Sequence, residues 1–370
     1  MIAPPSAGIG QWQGTVQDFL VDRADLRRTM VRSTAVTCDA GEAVIAVERF
    51  ALTANNITYA LLGDSTNYWD FFPADGKWGR IPVWGFGRVV SPGASALAAD
   101  ETLFGYLPMS THLLMAPGKI GPLGLYDLVE HRAHLSPVYN YYARASANPA
   151  FDPAWEAEDM LLRPIFYASF LVHDFLSEGA LAEAESVIVT SASSKTAIGL
   201  GHCLSAAGGR QYDIVGATSE RNRAFVAGLG IFDRVHAYAD LDKLDFGRSI
   251  VVDLSGNTEM IGRLVAQLAE RMILCCLVGY THWDKQAPRA VDDRPFVRFF
   301  VPTRMRQRVQ EWGRGEFDRR YETALRSFRE FSRKWLQVSE RAGADAVSDV
   351  YQLVVQNRVR PEQGYIVSLL

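Results

Sequence analysis

Between residues 186 and 278, short apolar segments alternate with segments of helical periodicity. Residues 187–189 and 250–252 contain only apolar side chains, as strands do when both faces of a sheet are covered. Strands separated by helices of about 10 residues are typical of a parallel, doubly wound sheet. The predicted strands are 186–190, 212–217, 249–254 and 272–278, and the predicted helices are 197–207, 222–229 and 259–270.

The part of the chain before residue 150 has a different pattern, with short strands broken by turns. It predicts a small, mostly antiparallel, barrel-like domain. A chain of 370 residues favours two domains, and the character changes after Asn148-Pro149. Residues 155–176 then read as a helix that Pro164 kinks or divides. The first-domain strand candidates are 43–50, 88–90, 102–107 and 111–115, and the polar segment 55–59 is predicted as a loop.

Residues 304–341 combine arginines with aromatic residues at helical spacing. They predict an amphipathic helix whose aromatic stripe is buried and whose arginines face water. Residues 364–369 predict a final strand. The stripe comprises Phe317, Tyr321, Phe328, Phe331 and Trp335.

Composition excludes several classes of protein. With 48% hydrophobic and 22% charged residues the chain is ordinary for a soluble globular protein. A formal net charge of −4 gives no reason to expect nucleic acid or an anionic membrane as partner. The N-terminus lacks the basic region and apolar run of a signal peptide, and no apolar stretch approaches the roughly 18 residues that span a bilayer. We therefore expect a cytoplasmic protein without a membrane span.

Residues 186–209, SVIVTSASSKTAIGLGHCLSAAGG, resemble the start of the cofactor domain in the medium-chain dehydrogenase/reductase superfamily, especially its zinc-free quinone-reductase branch. Residues 215–238 and 251–256 are similar to the strands and helix that follow there. Residues 54–59, before Gly63, resemble the Asn-containing substrate loop of that family, and residues 82–90 resemble a strand of its GroES-like domain. The resemblance covers nearly the whole chain and implies an uncharacterised bacterial subfamily.

The resemblance implies an α/β fold with two domains. A GroES-like, mostly-β barrel domain for catalysis and substrate is expected from residues 1–150. A Rossmann domain, a doubly wound parallel sheet that binds a dinucleotide, is expected from residues 151–300. Residues 301–370, which end in a segment similar to the family's closing helix, turn and strand, are expected to return to the first domain.

The dinucleotide turn of the family carries glycines where this chain has Ser191, Ser194 and Ala197. Glycine there lets the backbone approach the pyrophosphate, and serine or alanine is small enough to replace it. The resemblance places residues 190–197 against the pyrophosphate, where Lys195 either adds a cation or is a solvated turn lysine. The predicted cofactor-binding residues are Ser191, Ser194, Lys195, Thr196, Ala197, Thr218, Ser219, Arg221 and Ser255.

The choice between NAD and NADP is predicted from the end of the second strand. Enzymes that prefer NAD place an acid there to bind the ribose 2′-hydroxyl, and Thr218-Ser219 has none. Arg221 and Arg223 follow instead, which suits a 2′-phosphate. We therefore expect NADP as the cofactor.

Zinc is not expected. Zinc enzymes of the superfamily use Cys, a Gly-His-Glu segment and another Cys or acid, and Trp84-Gly85-Phe86 stands where Gly-His-Glu would be. His131 and His134, at i, i+3 spacing, have no evident third ligand. None of the four cysteines forms a Cys-x-x-Cys pair, and alternation in a strand predicts packing for Cys275-Cys276.

Hydride transfer without zinc needs a protein group that polarises the substrate carbonyl and supplies a proton. The resemblance puts Asn55, Thr58 and Tyr59 near the nicotinamide, and Tyr59 is the predicted proton donor or oxyanion ligand. A buried packing role for Tyr59 is the alternative. Tyr139, Tyr141, Tyr142 and Arg144 either line the cleft or belong to the core.

Two functions remain open from the sequence. One is a zinc-independent, NADPH-dependent oxidoreductase that reduces a quinone, an enone or an enoyl thioester, with a small-molecule substrate and, by resemblance, a homodimeric assembly. The other is a dinucleotide-binding or sensing protein whose degenerate turn supports little or no turnover. Small residues at Ser191, Ala192, Ser194 and Ala197 favour the first, and the loss of the glycines keeps the second open.

Overall fold

The computed structural model of the chain describes residues 12–39, 41–93, 96–278 and 296–370. It divides into two compact units: unit 1 comprises Met1–Leu161 and Gln337–Leu370, and unit 2 comprises Leu162–Leu336. The strands are β1 (Gln13–Asp22), β2 (Thr29–Thr37), β3 (Ala43–Leu52), β4 (Trp78–Gly79), β5 (Pro82–Ser91), β6 (Thr102–Pro108), β7 (His112–Met115), β8 (Pro117–Gly118), β9 (Gly124–Asp127), β10 (Tyr141–Arg144), β11 (Ser186–Val189), β12 (Asp213–Thr218), β13 (Arg234–Ala237), β14 (Ser249–Asp253), β15 (Met272–Leu277), β16 (Phe296–Arg298), β17 (Gln337–Ala342) and β18 (Gln363–Ser368). The α-helices are α1 (Ala54–Leu61), α2 (Glu156–Leu161), α3 (Arg163–Leu176), α4 (Ala180–Glu183), α5 (Lys195–Ser205), α6 (Glu220–Gly228), α7 (Thr258–Leu268), α8 (Val301–Trp312), α9 (Arg314–Ser332) and α10 (Ala344–Val355).

Unit 1 is built from two sheets. A three-stranded sheet has the order β2-β1-β4, and a nine-stranded sheet has the order β17-β18-β3-β5-β6-β10-β9-β8, with β7 paired to β3. Strands β17 and β18 pair in parallel, and the other pairs are antiparallel. Apolar side chains from both sheets, from α1 and from α10 form one core.

The polar segment predicted as a loop at residues 55–59 lies in helix α1, so that prediction was wrong. Asn56 Oδ1 accepts hydrogen bonds from the Thr53 backbone N–H, over 2.7 Å, and the Thr53 hydroxyl, over 3.1 Å. A side chain that satisfies groups at the first turn favours a helix start. Tyr59 and Ala60 are buried, and Asn56 Nδ2 donates to the Pro82 carbonyl over 3.0 Å. Helix α1 is therefore stabilised by hydrogen bonds at its own first turn and by contacts with the rest of unit 1.

Unit 2 contains a six-stranded sheet with the order β13-β12-β11-β14-β15-β16. All of its strand pairs are parallel. Strands β11 and β14 are buried along their whole length, which explains the apolar runs at residues 187–189 and 250–252 within them. Counted along the chain, the order is third, second, first, fourth, fifth, sixth, the doubly wound arrangement that the alternation predicts. Cys275 and Cys276, both buried, lie in β15.

The predicted helix over residues 304–341 is two helices followed by a strand. Gly313, at φ +78, separates α8 from α9. The buried rings of α9 pack on α3: Tyr321 stacks on Tyr167 with ring centroids 3.9 Å apart, and Phe328 stacks on Phe166 at 4.9 Å. Residues 301–336 therefore lie in unit 2, and the chain enters unit 1 only at residue 337, as β17.

Pro164 lies at the start of α3, after α2 has ended at Leu161, so the expected division of residues 155–176 is confirmed. No helix in the described residues combines the length and the apolar character that crossing a membrane requires.

Candidate functional site

The six-stranded sheet of unit 2 has a topological switch point between β11 and β14, where ligands of open parallel sheets bind at the carboxyl ends of the strands. Thr190, directly after β11, donates its hydroxyl proton to Asp253 Oδ1 over 2.7 Å. The same hydroxyl oxygen accepts the backbone N–H of Leu254 over 2.9 Å. These bonds tie the segments that follow the two strands to each other, so the edge is fixed by buried hydrogen bonds.

Ser191 adopts a left-handed backbone conformation, with φ +51. Residues with a Cβ rarely adopt this region, whereas glycine does so freely. Its backbone N–H donates to the Tyr238 hydroxyl over 3.0 Å, which holds the turn in this shape. Ser191 thus occupies a glycine-like conformation at a position where the family resemblance implies glycine.

The N-terminus of α5 follows this turn. Ser194 is its N-cap, and Ser194 Oγ accepts the Ala197 backbone N–H over 3.2 Å. Lys195 and Thr196 form the first two helical residues, and both are half-buried. The first backbone N–H groups of a helix and its positive end favour an anion. Ala197 is fully buried, so its methyl group packs in unit 2 and only its backbone contributes to the cap.

Ser193 was not predicted from the sequence, yet it links the turn to the next strand and helix. Ser193 Oγ accepts a hydrogen bond from Asn222 Nδ2 over 3.0 Å and lies 3.3 Å from Thr218 Oγ1. The hydroxyl proton of Ser193 remains able to donate to an oxygen ligand. Residues 193 and 222 are too far apart in sequence for a local pattern to reveal this contact.

The end of β12 carries an unsatisfied polar atom. Ser219 Oγ is covered from solvent and has no hydrogen-bond partner in the described ranges. Arg221 is exposed, whereas Arg223 pairs with Glu220 at 2.9 Å. A buried hydroxyl without a partner is costly unless a ligand satisfies it. Ser219 and Arg221 therefore fit a phosphate or ribose hydroxyl at this strand end.

Ser255 lies at the same edge, on the β14 side of the switch point. Its hydroxyl donates to Asp253 Oδ1 over 2.7 Å, and its backbone N–H donates to the same oxygen over 2.9 Å. The structure thus groups the predicted cofactor-binding residues in the segments after β11, β12 and β14.

In unit 1, Tyr59 receives two hydrogen bonds at its hydroxyl oxygen. Asn55 Nδ2 donates over 2.7 Å and Trp84 Nε1 donates over 3.4 Å. Both donors approach the lone pairs of the oxygen, and the Tyr106 side chain is a further hydrogen-bonding neighbour of this phenol. Tyr59 is 7% exposed. The arrangement leaves the phenol as a hydrogen-bond donor for an added group.

Tyr59 belongs to a tyrosine cluster, which we define as Tyr59, Tyr68, Tyr106 and Tyr139. The Tyr59 ring lies 4.7 Å from Tyr68 and meets the edge of Tyr106 at 5.6 Å. Tyr139 lies 4.7 Å from Tyr106, and its hydroxyl is 3.3 Å from that of Tyr68. Burial raises the pKa of Tyr59 above its usual range, and the neighbouring Tyr68 raises it further. The phenol therefore keeps its proton at neutral pH.

The other catalytic candidates differ in their contacts. Thr58 Oγ1 donates back to the Ala54 carbonyl over 3.5 Å and is not joined to the Asn55–Tyr59 pair. Tyr141 donates to the Leu123 carbonyl over 3.3 Å, and Tyr142 donates to the Tyr106 carbonyl over 2.5 Å. Arg144 pairs with Glu101. Of the predicted aromatic group, Tyr139 is the one that joins the tyrosine cluster.

His131 and His134 bind separate protein groups. His131 Nε2 lies 3.3 Å from the Phe71 carbonyl oxygen, and His134 Nε2 lies 3.7 Å from Asp70 Oδ2. Within residues 12–39, 41–93, 96–278 and 296–370, no group of three or more His, Cys, Asp or Glu side chains is arranged to hold a metal ion.

The family model described as "Protein of unknown function (DUF2855)" matches residues 50–360. The chain belongs to this family. No curated protein matches the chain significantly.

Solved structures match over almost the whole chain. The quinone oxidoreductase from Coxiella burnetii is 12% identical, with 96% of this chain and 99% of that chain covered and a TM-score of 0.54. The yhdH oxidoreductase from Salmonella enterica in complex with NADP is 14% identical, with 96% and 99% covered and a TM-score of 0.54. ETR1P in its complex with NADP and crotonyl-CoA is 11% identical, with 95% and 99% covered and a TM-score of 0.55. The chain has the fold of medium-chain enoyl reductases and quinone oxidoreductases, so the predicted GroES-like and Rossmann domains are confirmed.

Proposed function

We propose that the DUF2855 protein is a zinc-independent, NADPH-dependent oxidoreductase that reduces a quinone, an enone or an enoyl thioester. The observation that carries the proposal is the turn after β11, in which Ser191 takes a glycine-like φ of +51 directly before the N-terminus of α5. A glycine-like backbone at Ser191, followed by a helix N-terminus, supports a dinucleotide turn at this strand end although the glycines are replaced.

The residues at the sheet edge fit NADP. The hydroxyls of Ser193 and Ser194 and the first N–H groups of α5 would hold the pyrophosphate, and the positive helix end would stabilise its charge. Ser219 and Arg221 would hold the 2′-phosphate, since the Ser219 hydroxyl lacks a partner in the described residues and Arg221 is exposed. When bound, the cofactor supplies a hydride.

In unit 1, Tyr59 is the proposed donor to the substrate oxygen. Its hydroxyl accepts from Asn55 and Trp84, which fixes the phenol and leaves its proton for the substrate. As negative charge develops on a carbonyl oxygen, a fixed donor stabilises that charge more than it stabilises the neutral substrate. Asn55 is the positioning residue of this arrangement. Zinc independence is supported by the ligand types available, since the described residues offer no cluster that could hold a metal.

Calorimetric titration with NADPH and NADH, followed by turnover assays, tests the proposal. We expect NADPH to bind more tightly, and we expect NADPH oxidation with at least one of a benzoquinone, a conjugated enone and a crotonyl thioester. Protein treated with a chelator should keep this activity. If NADPH binds and none of the three substrates is reduced, the dinucleotide-sensing function is favoured instead. If neither NADPH nor NADH binds, both functions are rejected.

A further inference from the structure

Unit 1 contains a solvent-open cavity of about 540 Å³, formed by the β1–β2 hairpin, residues 72–75 and β7. Small-molecule sites in proteins commonly have volumes of roughly 300–1,000 Å³. The cavity shares no residue with the tyrosine cluster or with Asn55 and Trp84. It is therefore large enough for a ligand and separate from the residues of the proposed function in unit 1.

One wall of this cavity is apolar. Its side chains come from both strands of the hairpin, from Phe72, from the last residue of β6 and from the middle of β7. Burying the apolar surface of a ligand against such a wall removes that surface from water and favours the complex. The apolar residues are Val16, Val36, Phe72, Pro108, Leu113 and Leu114.

Two of the arginines at the cavity are already neutralised by buried acids. Arg80 Nη2 donates to Asp18 Oδ2 over 2.8 Å, and the other carboxylate oxygen of Asp18 accepts the Ser110 hydroxyl over 2.5 Å. Arg132, 1% exposed, pairs with the buried carboxylate of Asp127. Neither pair leaves a net charge for a ligand.

Arg32 is different. Its nearest carboxylate is Asp75, whose side chain is 95% exposed and whose Oδ2 lies 3.5 Å from Arg32 Nη1. Exposed ion pairs of this kind contribute little because water screens them. Among the described residues the Arg32 guanidinium donates no hydrogen bond of normal geometry, although its side chain is only 30% exposed. Arg32 therefore offers one positive charge and several N–H donors at the rim of an apolar-walled cavity.

The two imidazoles at the cavity do not add charge. Burial lowers the pKa of His112, and burial is also the main cause that lowers the pKa of His131. Both rings are neutral at pH 7 and above. A single cation beside an apolar wall matches one anionic group joined to an apolar body.

We propose that this cavity binds a small organic acid whose carboxylate pairs with Arg32 and whose apolar body packs on Phe72, Pro108 and Leu113. A carboxylate accepts two parallel N–H bonds from a guanidinium, which gives the pair both strength and orientation. A phosphate carries more charge, whereas Arg80 and Arg132, the other arginines among the described lining residues, are paired with Asp18 and Asp127. The cavity is thus a site for a monocarboxylate.

Titration of the full chain with phenylacetate and with its neutral isostere phenylacetamide tests this assignment. Phenylacetate should bind at least about 10-fold more tightly, because the amide cannot form the charged pair. Arg32→Met should weaken phenylacetate about 10- to 150-fold and leave phenylacetamide unchanged. Arg28→Met, an exposed arginine of the same hairpin, is the matched control and should bind phenylacetate as the wild-type protein does.

Equal affinity for the two probes, or an equal loss in Arg28→Met, would overturn the proposal. So would tighter binding of inorganic phosphate than of phenylacetate. A diazirine analogue of phenylacetate keeps the test independent of the variants: photolabelling of cavity residues supports the site, and labelling elsewhere rejects it. Tyr59→Phe should leave phenylacetate affinity unchanged, so failure of this proposal and failure of the proposed reductase activity are distinguishable.

Discussion

Asn55 Nδ2 donates a hydrogen bond of 2.7 Å to Tyr59 Oη, one turn further along α1. Residues at i and i+4 share one face of a helix, so the bond needs no distortion of the backbone. Trp84 Nε1 donates to the same oxygen from β5. The Tyr59 phenol is therefore fixed from two elements of unit 1, and both contacts leave its proton free to be donated.

Replacing Tyr59 by phenylalanine removes this donor and keeps the ring. Since removing one donor to a developing oxyanion costs roughly 100- to 1,000-fold in turnover, Tyr59→Phe should lower kcat by that factor. Calorimetry should show unchanged NADPH affinity, because the proposed phosphate-binding residues belong to unit 2 whereas Tyr59 belongs to unit 1. Full activity of the variant on a genuine substrate would mean that Tyr59 only packs.

Asn55→Leu tests the positioning role of the amide. Loss of one neutral hydrogen bond costs about 0.5–1.5 kcal/mol, so kcat should fall about 2- to 12-fold while KM changes little. Thr58→Val is the matched control in the same helix, because the Thr58 hydroxyl reaches only the Ala54 carbonyl. Asn55→Gln should not rescue activity fully, since its longer side chain alters the approach to Tyr59. A loss in Thr58→Val equal to that in Asn55→Leu would indicate a general effect on α1.

Arg221→Ala should weaken NADPH and leave NADH nearly unchanged. A charge-assisted phosphate contact is worth on the order of 1.5–3 kcal/mol, which corresponds to roughly 10- to 150-fold in Kd. Arg223→Ala is the control, since Arg223 is paired with Glu220 at 2.9 Å and should have a smaller effect. Calorimetric titration of both variants with both cofactors measures the difference. If Arg221→Ala lowers the affinities for NADPH and NADH equally, Arg221 does not bind the 2′-phosphate.

Strands β11, β12, β14 and β15 of unit 2 could be predicted closely because they are largely buried. The apolar runs at residues 187–189 of β11 and 250–252 of β14 can then be recognised without any knowledge of their neighbours. The hairpin of β1 and β2 was missed, because β2 is largely exposed and its sequence mixes polar and apolar residues. Strand β17 was predicted as helix, since what makes it a strand is its parallel pairing with β18.

The candidate site was predictable only where its residues are neighbours in sequence. The small residues of the turn, Ser191 and Ser194, lie close together in the sequence and can be recognised there. The contacts that shape it, from Tyr238 to Ser191 and from Asn222 to Ser193, span 47 and 29 residues. The bond from Trp84 to Tyr59 spans 25 residues. A single sequence carries no signal for such pairs, because propensity and periodicity act over a few residues only.

Arg132 and Asp127 form a buried ion pair, and removing one partner should lower the stability of the protein. Arg132→Met leaves the Asp127 carboxylate buried without its partner, which should lower the free energy of unfolding by about 3–5 kcal/mol. Adding Asp127→Asn should recover part of this loss. The asparagine oxygen can still accept the N–H groups of Ala116 and Val129, which bond to Asp127 Oδ1 over 2.9 and 3.1 Å. Urea denaturation of the two single variants and the double variant measures the coupling.

The loss in Arg132→Met should depend on pH. Burial raises the pKa of Asp127 even with Arg132 present, and removing the cation raises it further. A carboxyl whose folded pKa exceeds its unfolded value binds its proton more tightly when folded, so unfolding becomes harder as pH falls through the folded pKa towards the unfolded one. The difference in the free energy of unfolding between Arg132→Met and the wild-type protein should therefore become smaller as the pH is lowered from 7 to 5. A deficit that is constant over this interval would contradict a buried, unpaired carboxylate.

Ser191→Gly tests whether the turn after β11 stores backbone strain. A residue with a Cβ costs roughly 1–2 kcal/mol in the left-handed region, and the glycine loses about 0.5–1 kcal/mol of that gain through its more flexible unfolded state. The variant should be as stable as the wild-type protein or more stable by up to about 1.5 kcal/mol. NADPH affinity should stay within about twofold, because the backbone N–H to Tyr238 is retained. Ser191→Val is the control for the opposite effect. A branched side chain fits φ +51 poorly, so the valine variant should be less stable than the wild-type protein. Chemical denaturation compares the three proteins, and a glycine variant as unstable as the valine variant would show that the serine side chain, not the backbone conformation, holds the turn.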